Sequence, residues 1–401
     1  MTHEGLDPRE LESVSPRTGN LALRTAEFDD VDQLDALHGH PRWLRPVFVD
    51  PSFGPGSFTV VVDGNRVVSS ACLQQLTVAV DGLEVPGGQP EWIGTLAEYR
   101  NRGLVRAQLD ELHRRSAERG DLVQVIGGID YFYRQFGYAY AISVAPWRRL
   151  DPATTVPATS GWTVRPAVPA DARAIEAAES TRRSAARLTL YGPSPWPRRL
   201  AAGRYHLVVA ERAGEVFGVA SVERPDHLGG AVRLELLCAT EGAAYWALID
   251  HVRDQGQAVV IEAHPHVAPF IDTVATAYED RPGLYVRVPD PGALLERLAP
   301  VLGRRLAASE FADATGKLRI STYRSVIDID YDHGEVGSVA QSGHPENPDG
   351  RLPAVPPDHL AELIFGRWGA SALAERYDDV TLASEGPLMD VLFPMLVADA
   401  T

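Results

Sequence analysis

The chain has 401 residues, 45% of them hydrophobic, and a formal charge of −16. At roughly 100–200 residues per domain this length predicts two or three cores, and the acidity argues against a nucleic-acid partner while suiting cationic small molecules. No apolar run approaches the roughly 18 residues of a membrane helix, and the charged start MTHEGLDPRELE is unlike a signal peptide, so no membrane partner and a cytoplasmic location are expected.

Residues 21–26 (LALRTA) read as a strand and 29–38 (DDVDQLDALH) as a helix with Asp29 near its cap. The run SFTVVVDGNRVVSSACLQQLTVAV gives two strands broken at Asp63-Gly64-Asn65, a hairpin signal. A strand from Glu91 to Leu96 follows the Gly-rich turn PGGQP. From Gly103 to Arg119, Leu104, Gln108, Leu109 and Leu112 share one helical face, and Gly120 ends the pattern. LVQVIGG and AYAISVAPW read as further strands, closing one α+β unit over 1–150. Cys72 and Cys238, the only cysteines, each sit in an apolar run, so neither a disulfide framework nor a Cys-based zinc site is expected.

A Pro/Thr/Ala-rich linker (151–161) follows, and then the pattern restarts. WTVRPAVPADARAIEAAE parallels LALRTAEFDDVDQLDALH, and YHLVVAERAGEVFGVASVER parallels the first hairpin, with Ala213-Gly214 at its turn. A long-period internal repeat over 151–288 explains this economically. The second copy lacks an Arg/Gly turn before its helix AAYWALIDHVRDQG. A third region, 289–401, offers the amphipathic helix PDPGALLERLAPVLGRRLAAS, alternating strands in KLRISTYRSVIDIDYDHGEVGSVA, a polar loop and a closing helix in DHLAELIFGRWG.

The order strand, Arg/Gly turn, amphipathic helix, strand and aromatic knuckle over Trp92–Tyr138 resembles the core of the GNAT (Gcn5-related) N-acetyltransferases. Two such units followed by an α+β region resemble the Eis (enhanced intracellular survival) acetyltransferases. The resemblance implies an α+β fold: tandem GNAT folds, mixed sheets flanked by helices, and a C-terminal sterol-carrier-like domain. It further implies an acetyl-CoA-dependent N-acetyltransferase acting by direct attack on an amine, an aminoglycoside by resemblance and a polyamine or peptide amine equally by charge. The second copy is expected not to bind CoA. A homo-oligomer, a hexamer by resemblance, completes the expectation; the alternative is a non-catalytic acyl-CoA-binding or lipid-binding protein.

The family turn reads here as Arg100-Asn101-Arg102-Gly103-Leu104-Val105, with Arg106 adding charge. Its physical task is to aim backbone N–H groups at a diphosphate from a helix N-terminus. Ile93, Gly94 and Thr95 would line the pantetheine arm through their backbone, and Gly128 joins the cofactor set. Tyr133 is the expected general acid for the leaving thiolate, with Tyr131, Phe132 and Phe136 packing the knuckle. The base is expected to be Glu91, taken as the start of its strand, or the Thr401 carboxylate. The His38–Phe48 segment falls where the family places acceptor-contacting helices, and its aromatics wall a pocket or pack an interdomain surface. His264 and His266 read as solvated, and Asp328, Asp330 and Asp332 as a strand ending in a turn; no metal is expected.

Overall fold

A computed structural model describes residues 21–39, 44–50, 53–192, 206–223, 230–253, 257–279, 283–343 and 352–400. The chain divides into two compact units, residues 1–74 with 89–119, and residues 75–88 with 120–401.

In the first unit β1 (Leu21–Thr25) pairs antiparallel with β2 (Phe58–Asp63), which turns through Gly64 and Asn65 into β3 (Arg66–Val80) as the sequence predicts. Gly64 has φ +60° and supplies the hairpin's left-handed position. Helix α1 (Val31–His38) is entered through a 3-10 turn, Phe28–Asp30. Asp30, not Asp29, anchors this entry: its carboxylate accepts the Glu27 N–H at 2.7 Å and the Arg24 guanidinium at 2.6 and 2.9 Å. A short α2 (Arg45–Val49) follows; Val31, Leu34, Leu44, Val47 and Phe48 pack on Phe58, Val60 and Cys72.

Strand β4 (Leu83–Thr95) corrects the reading of PGGQP as a turn, because those residues lie within one 13-residue strand. The glycines serve close approach: a Cβ on Gly87 would stand 2.9 Å from a Val123 methyl and 3.2 Å from the Val123 carbonyl. Gly87 and Gly88 pair in parallel with Val123 and Gln124 of β5 (Val123–Ile126). Glu91 therefore lies deep in β4 and does not begin it. Helix α3 (Leu104–Arg119) buries Leu104, Gln108, Leu109 and Leu112, the face read from its periodicity.

The second unit holds the rest. β6 (Ala139–Ile142) and β7 (Trp147–Leu150) are separate strands in different sheets. β7 joins a seven-stranded sheet, β14-β7-β13-β12-β11-β10-β8, with β8 Thr163–Pro166, β10 Leu207–Arg212, β11 Glu215–Glu223, β12 Val232–Ala239, β13 Val259–Glu262 and β14 Thr276–Glu279. Helix α4 (Ala172–Ala185) packs Ile175 and Ala178 on Val209, Val219 and Cys238, while α5 (Gly242–Arg253) packs Leu248 and Ile249 among Leu234, Leu237 and Ile261. The repeat's entry motif recurs: Asp171 accepts the Val168 N–H at 2.8 Å and Arg165 at 2.8 and 2.9 Å, matching Asp30 and Arg24 in kind and spacing.

β15 (Leu284–Arg287) leaves the repeat and pairs antiparallel with both β5 and β6. β9 (Leu188–Tyr191) pairs with the Thr77–Val80 end of β3, and β19 (Ala398–Ala400) lies parallel to β9. A short α6 (Ala268–Ile271) precedes β14. The third region folds as α7 (Pro291–Ala307), the meander β16 (Thr315–Ser321), β17 (Val326–Asp332), β18 (Glu335–Ser342), then α8 (Pro357–Ile364), α9 (Ala370–Arg376) and α10 (Gly386–Leu392). Asp328, Asp330 and Asp332 lie in β17, which ends in the turn His333–Gly334, as read. The α7 residues Leu294, Leu298 and Leu302 share a core with Ile320, Ile329 and Phe393. Among the described residues no helix is long and apolar enough to cross a membrane.

Candidate functional site

Of the residues expected from the sequence, Glu91 to Arg106 fall in the first unit and Gly128 and Tyr133 in the second. In the first, the chain leaves β4 through a 3-10 turn, Ala97–Tyr99, and enters α3 through two left-handed residues, Asn101 (φ +61°) and Gly103 (φ +74°). An L side chain at +74° is strained, so glycine is required by the backbone; a Cβ there would meet nothing within 4 Å. The ladder of α3 starts with the Ala107 N–H on the Gly103 carbonyl at 3.1 Å, and earlier amides of a helix have no carbonyl of their own helix to bond. Arg100 Nε donates to the Thr95 carbonyl at 3.3 Å. Arg102 donates to the Glu98 carbonyl at 2.9 Å and stacks 4.9 Å from the Tyr99 ring. Those bonds fix the turn's shape, while Arg100, Arg102 and Arg106 stay on the surface. Leu104 anchors the helix start on Val61 and Val68, and Val105 is half-buried.

A buried polar lock fixes α3 against β4. Ser69 Oγ lies 2.6 Å from Gln108 Oε1, 2.7 Å from Thr95 Oγ1 and 2.9 Å from the Gly94 carbonyl. Gln108 Nε2 donates to the Thr59 carbonyl at 3.2 Å. Four elements thus share one hydrogen-bonded cluster, and a buried network of this kind holds position because any shift strands a polar group. Sequence reasoning placed Gln108 on the apolar face of α3 and missed its role. The signal was a lone amide among leucines; Ser69 gave none.

Within β4, Trp92 adopts φ +52°, a conformation costing a bulky residue about 1–3 kcal/mol. Its carbonyl accepts the Ser70 hydroxyl at 3.0 Å, and Ser70 Oγ is also 2.8 Å from His38 Nε2. The His38 ring packs edge-on to the Trp92 ring at 5.4 Å and lies so close to Gly94 that a Cβ there would stand 2.8 Å from His38 Cε1. Ile93, Gly94 and Thr95 are all half-buried. Glu91 is half-buried and accepts Gln89 Nε2 at 2.8 Å. Burial first, and then the charge of Glu91, push the fully buried Cys72 thiol well up, so Cys72 is no nucleophile.

In the second unit β5 runs into Gly127 and Gly128, and Gly128 has φ +140°. A Cβ on it would stand 2.9 Å from Cε2 of Tyr133, so the glycine makes room for that ring. Tyr133 is buried (6% exposed), with Phe132 at 5.1 Å, Tyr138 at 6.2 Å and Tyr285 at 5.7 Å around it. Phe132 and Phe136 pack the knuckle, but Tyr131 does not: it is 76% exposed, with φ +66°, and its backbone N–H donates to Tyr285 Oη at 2.7 Å. Tyr285 stacks on Tyr140 at 3.8 Å. Tyr285 escaped the sequence reading because its partner Tyr131 lies 154 positions away. Burial pushes the Tyr138 phenol above its ordinary range, and the same force, with Tyr285 and Asp130, raises Tyr140.

The second unit also contains a cavity of about 620 Å³, its lining including Arg134, Tyr138, Tyr140, His359, Glu362 and Tyr377. His264 and His266 are buried, against the expectation of solvated side chains. His264 Nε2 stands 2.7 Å from a Glu262 oxygen, and His266 Nε2 is 2.8 Å from the Leu237 carbonyl. Among the described residues no three His, Cys, Asp or Glu gather as metal ligands. Thr401 lies outside the described residues, as does the stretch 40–43 of the expected acceptor segment.

Residues 31–141 match the family model described as an acetyltransferase (GNAT) domain. No curated protein matches the sequence at a significant level. Among solved structures the chain is similar to a GCN5-related N-acetyltransferase from Kribbella flavida, with 19% identity and a TM-score of 0.68 over 95% of this chain and 99% of that one. It is similar to another from Anabaena variabilis, with 14% identity and a TM-score of 0.67 over 94% and 98% of the two chains. It is also similar to Eis1 from Mycobacterium abscessus, with 18% identity and a TM-score of 0.63 over 95% and 99%. Residues 31–141 thus match an acetyltransferase (GNAT) domain model, and the chain shares its fold with these solved structures.

Proposed function

We propose that this protein transfers an acetyl group from acetyl-CoA to a cationic amine by direct attack. The observation that carries the reading is the passage from β4 to α3: a strand delivers the chain to a left-handed Asn101/Gly103 turn whose helix start is locked by Ser69, Thr95 and Gln108. These residues fit a diphosphate-bearing acyl thioester. The turn presents N-terminal amides and three surface arginines, Arg100, Arg102 and Arg106, to an anion. Asn101, Gly103, Leu104 and Val105 complete that turn, and the backbone of Ile93, Gly94 and Thr95 lines the pantetheine arm. Gly128 keeps space for Tyr133, which donates a proton to the departing thiolate. Acetyl-CoA supplies the activated acetyl group and a thiol leaving group.

An amine is protonated near neutrality, its reference pKa being about 10.4, so a base must act before attack. Glu91 and the Thr401 carboxylate are the two carboxylates the sequence offers. The formal charge of −16 favours a cationic acceptor, whether an aminoglycoside or a polyamine. A sterol-carrier-like build for 289–401 and assembly into a homo-oligomer belong to the same proposal, the latter read by light scattering. The function is tested by thiol release from acetyl-CoA across a broad amine panel. CoA binding without thiol release from any amine identifies a non-catalytic acyl-CoA-binding protein instead.

A further inference from the structure

We propose that Tyr285 is a positioning residue for the general acid: with Tyr140 it clamps the start of the turn that carries Tyr133 and so holds the Tyr133 hydroxyl for the departing thiolate. The proposal rests on reading the chain as an N-acetyltransferase with Tyr133 as its acid, and deepens that reading by naming a residue of β15 that no motif suggested.

All the residues concerned lie in the second unit. Tyr133 stands in a 3-10 turn, Phe132–Phe136, and Tyr131 is the residue that opens it. Tyr131 has φ +66°, a backbone that a bulky L residue keeps only when its surroundings impose it. Tyr285 supplies that constraint, since its Oη accepts the Tyr131 N–H at 2.7 Å. The preceding residue is held too, because Tyr140 Oη donates to Asp130 Oδ1 at 2.7 Å. The two phenols stack at 3.8 Å with their planes 22° apart, and they face each other in the register of β15 with β6. Asp130-Tyr131 is thus pinned by a side chain to β6 and by its backbone to β15.

Packing alone does not ask for a phenol at this position. Tyr285 is fully buried, and phenylalanine would fill the same space, so the hydroxyl is explained by the hydrogen bond it makes. The Tyr285 ring also meets Tyr133 directly, at 5.7 Å and 64°. Gly128 lies against the same ring, since a Cβ on it would stand 3.5 Å from Tyr133 Oη. Burial first, and then Tyr285 and Asp130, push the Tyr140 phenol up, so it keeps its proton for Asp130 at neutral pH.

Tyr285 itself exchanges no proton. The acceptor nitrogen, already deprotonated by the base, forms the C–N bond, and the C–S bond breaks with its electron pair left on sulfur. The sulfur takes the Tyr133 proton, and the proton shed by the acetylated nitrogen restores the phenol. Position decides the rate of such a transfer, because a displacement of about 1 Å costs up to roughly 10²-fold.

The test uses the full-length protein, acetyl-CoA and the amine of the panel that releases most thiol. Tyr285→Phe is expected to lower kcat on the order of 10–10²-fold, with CoA affinity unchanged and the fold intact by circular dichroism. In a Tyr133→Phe background the same substitution is expected to cost almost nothing more, because the acid it positions is already gone. Without any turnover, amide exchange over residues 130–136 is expected to rise in Tyr285→Phe while that of β5 and β6 stays as it was. Tyr140→Phe, which frees Asp130, is expected to show the same dependence on the Tyr133 hydroxyl and serves as the second variant should Tyr285→Phe not fold. Wild-type kcat in folded Tyr285→Phe, an equal loss with and without the Tyr133 hydroxyl, or wild-type turnover in Tyr133→Phe overturns the proposal while the acetyltransferase reading stands. If the wild-type protein binds CoA but releases no thiol with any amine, the reading itself fails and takes this role with it.

Discussion

Tyr133 and Gly128 form a pair in which the small residue exists for the large one. Tyr133→Phe keeps the ring that Phe132, Tyr138 and Tyr285 surround and removes only the hydroxyl. Packing should survive, and turnover should fall on the order of 10²–10⁴-fold with CoA binding retained. Steady-state kinetics beside calorimetry decides this; wild-type turnover would return Tyr133 to a packing role. Gly128→Ala should act on the same atom from behind. Its Cβ would stand 2.9 Å from the ring at a φ of +140°, so the phenol must move, at a cost on the order of 10²-fold in kcat. The aromatic knuckle after β5 was legible in the sequence as a local pattern, and the role proposed for Tyr133 within it came from the family resemblance. Tyr285 was not, since a hydrogen bond to a residue 154 positions away leaves no local trace.

The helix α3 is where sequence and structure agree most closely, and it carries two predictions. Gly103→Glu places a charge beside the helix start without a collision, since a Cβ there meets nothing within 4 Å. The fold should lose only about 1–2 kcal/mol for the left-handed backbone, while CoA affinity falls by more than tenfold through repulsion of the phosphates. Calorimetry showing unchanged affinity in a folded variant removes the turn from the site. The second prediction concerns acid. Arg114 first, and Arg115 after it, hold the Glu111 carboxyl down to about 2. Arg115 also reaches the Gly56 carbonyl at 3.0 Å and Thr25 Oγ1 at 2.8 Å, so the cluster ties α3 to the start of the chain's first sheet. A carboxyl depressed in the folded state stabilises fully above its unfolded value of about 4.3. That contribution is lost as pH falls from there toward about 2. For partly exposed pairs the loss amounts to about 1 kcal/mol or less. Thermal midpoints measured from pH 6 to 2 should fall less steeply in that window for Glu111→Gln than for the wild type. Parallel curves would show the pairing contributes nothing.

At the scale of the whole molecule, hydrogen bonding disregards the order of the chain. β15, from residues 284–287, fills the place between β5 and β6, and β7, from residues 147–150, supplies a strand to the seven-stranded sheet. A fragment of residues 1–150 would expose the edges of β5 and β6 and the apolar face of Tyr138 and Ile142. Such open edges pair with other chains. We expect that fragment to aggregate or to lack dispersed amide spectra, whereas the full chain is monodisperse; a soluble fragment with native-like spectra would show β15 to be dispensable.

Sequence alone determined what is local: the Gly64 hairpin, the apolar face of α3, the Arg/Gly turn, the recurring strand-to-helix entry, and the helix and meander of the third region. Each rests on propensity or periodicity, which neighbouring residues encode. Tertiary structure alone decided the exchange of β7 and β15, the lock of Ser69 with Gln108, the inclusion of PGGQP in β4, and the seating of His38 on Ser70. Those depend on which backbone edge a strand finds and which buried polar atom meets which partner. Val, Ile and Leu make a strand equally fit for several neighbours, and a serine facing the core looks in sequence like any other serine.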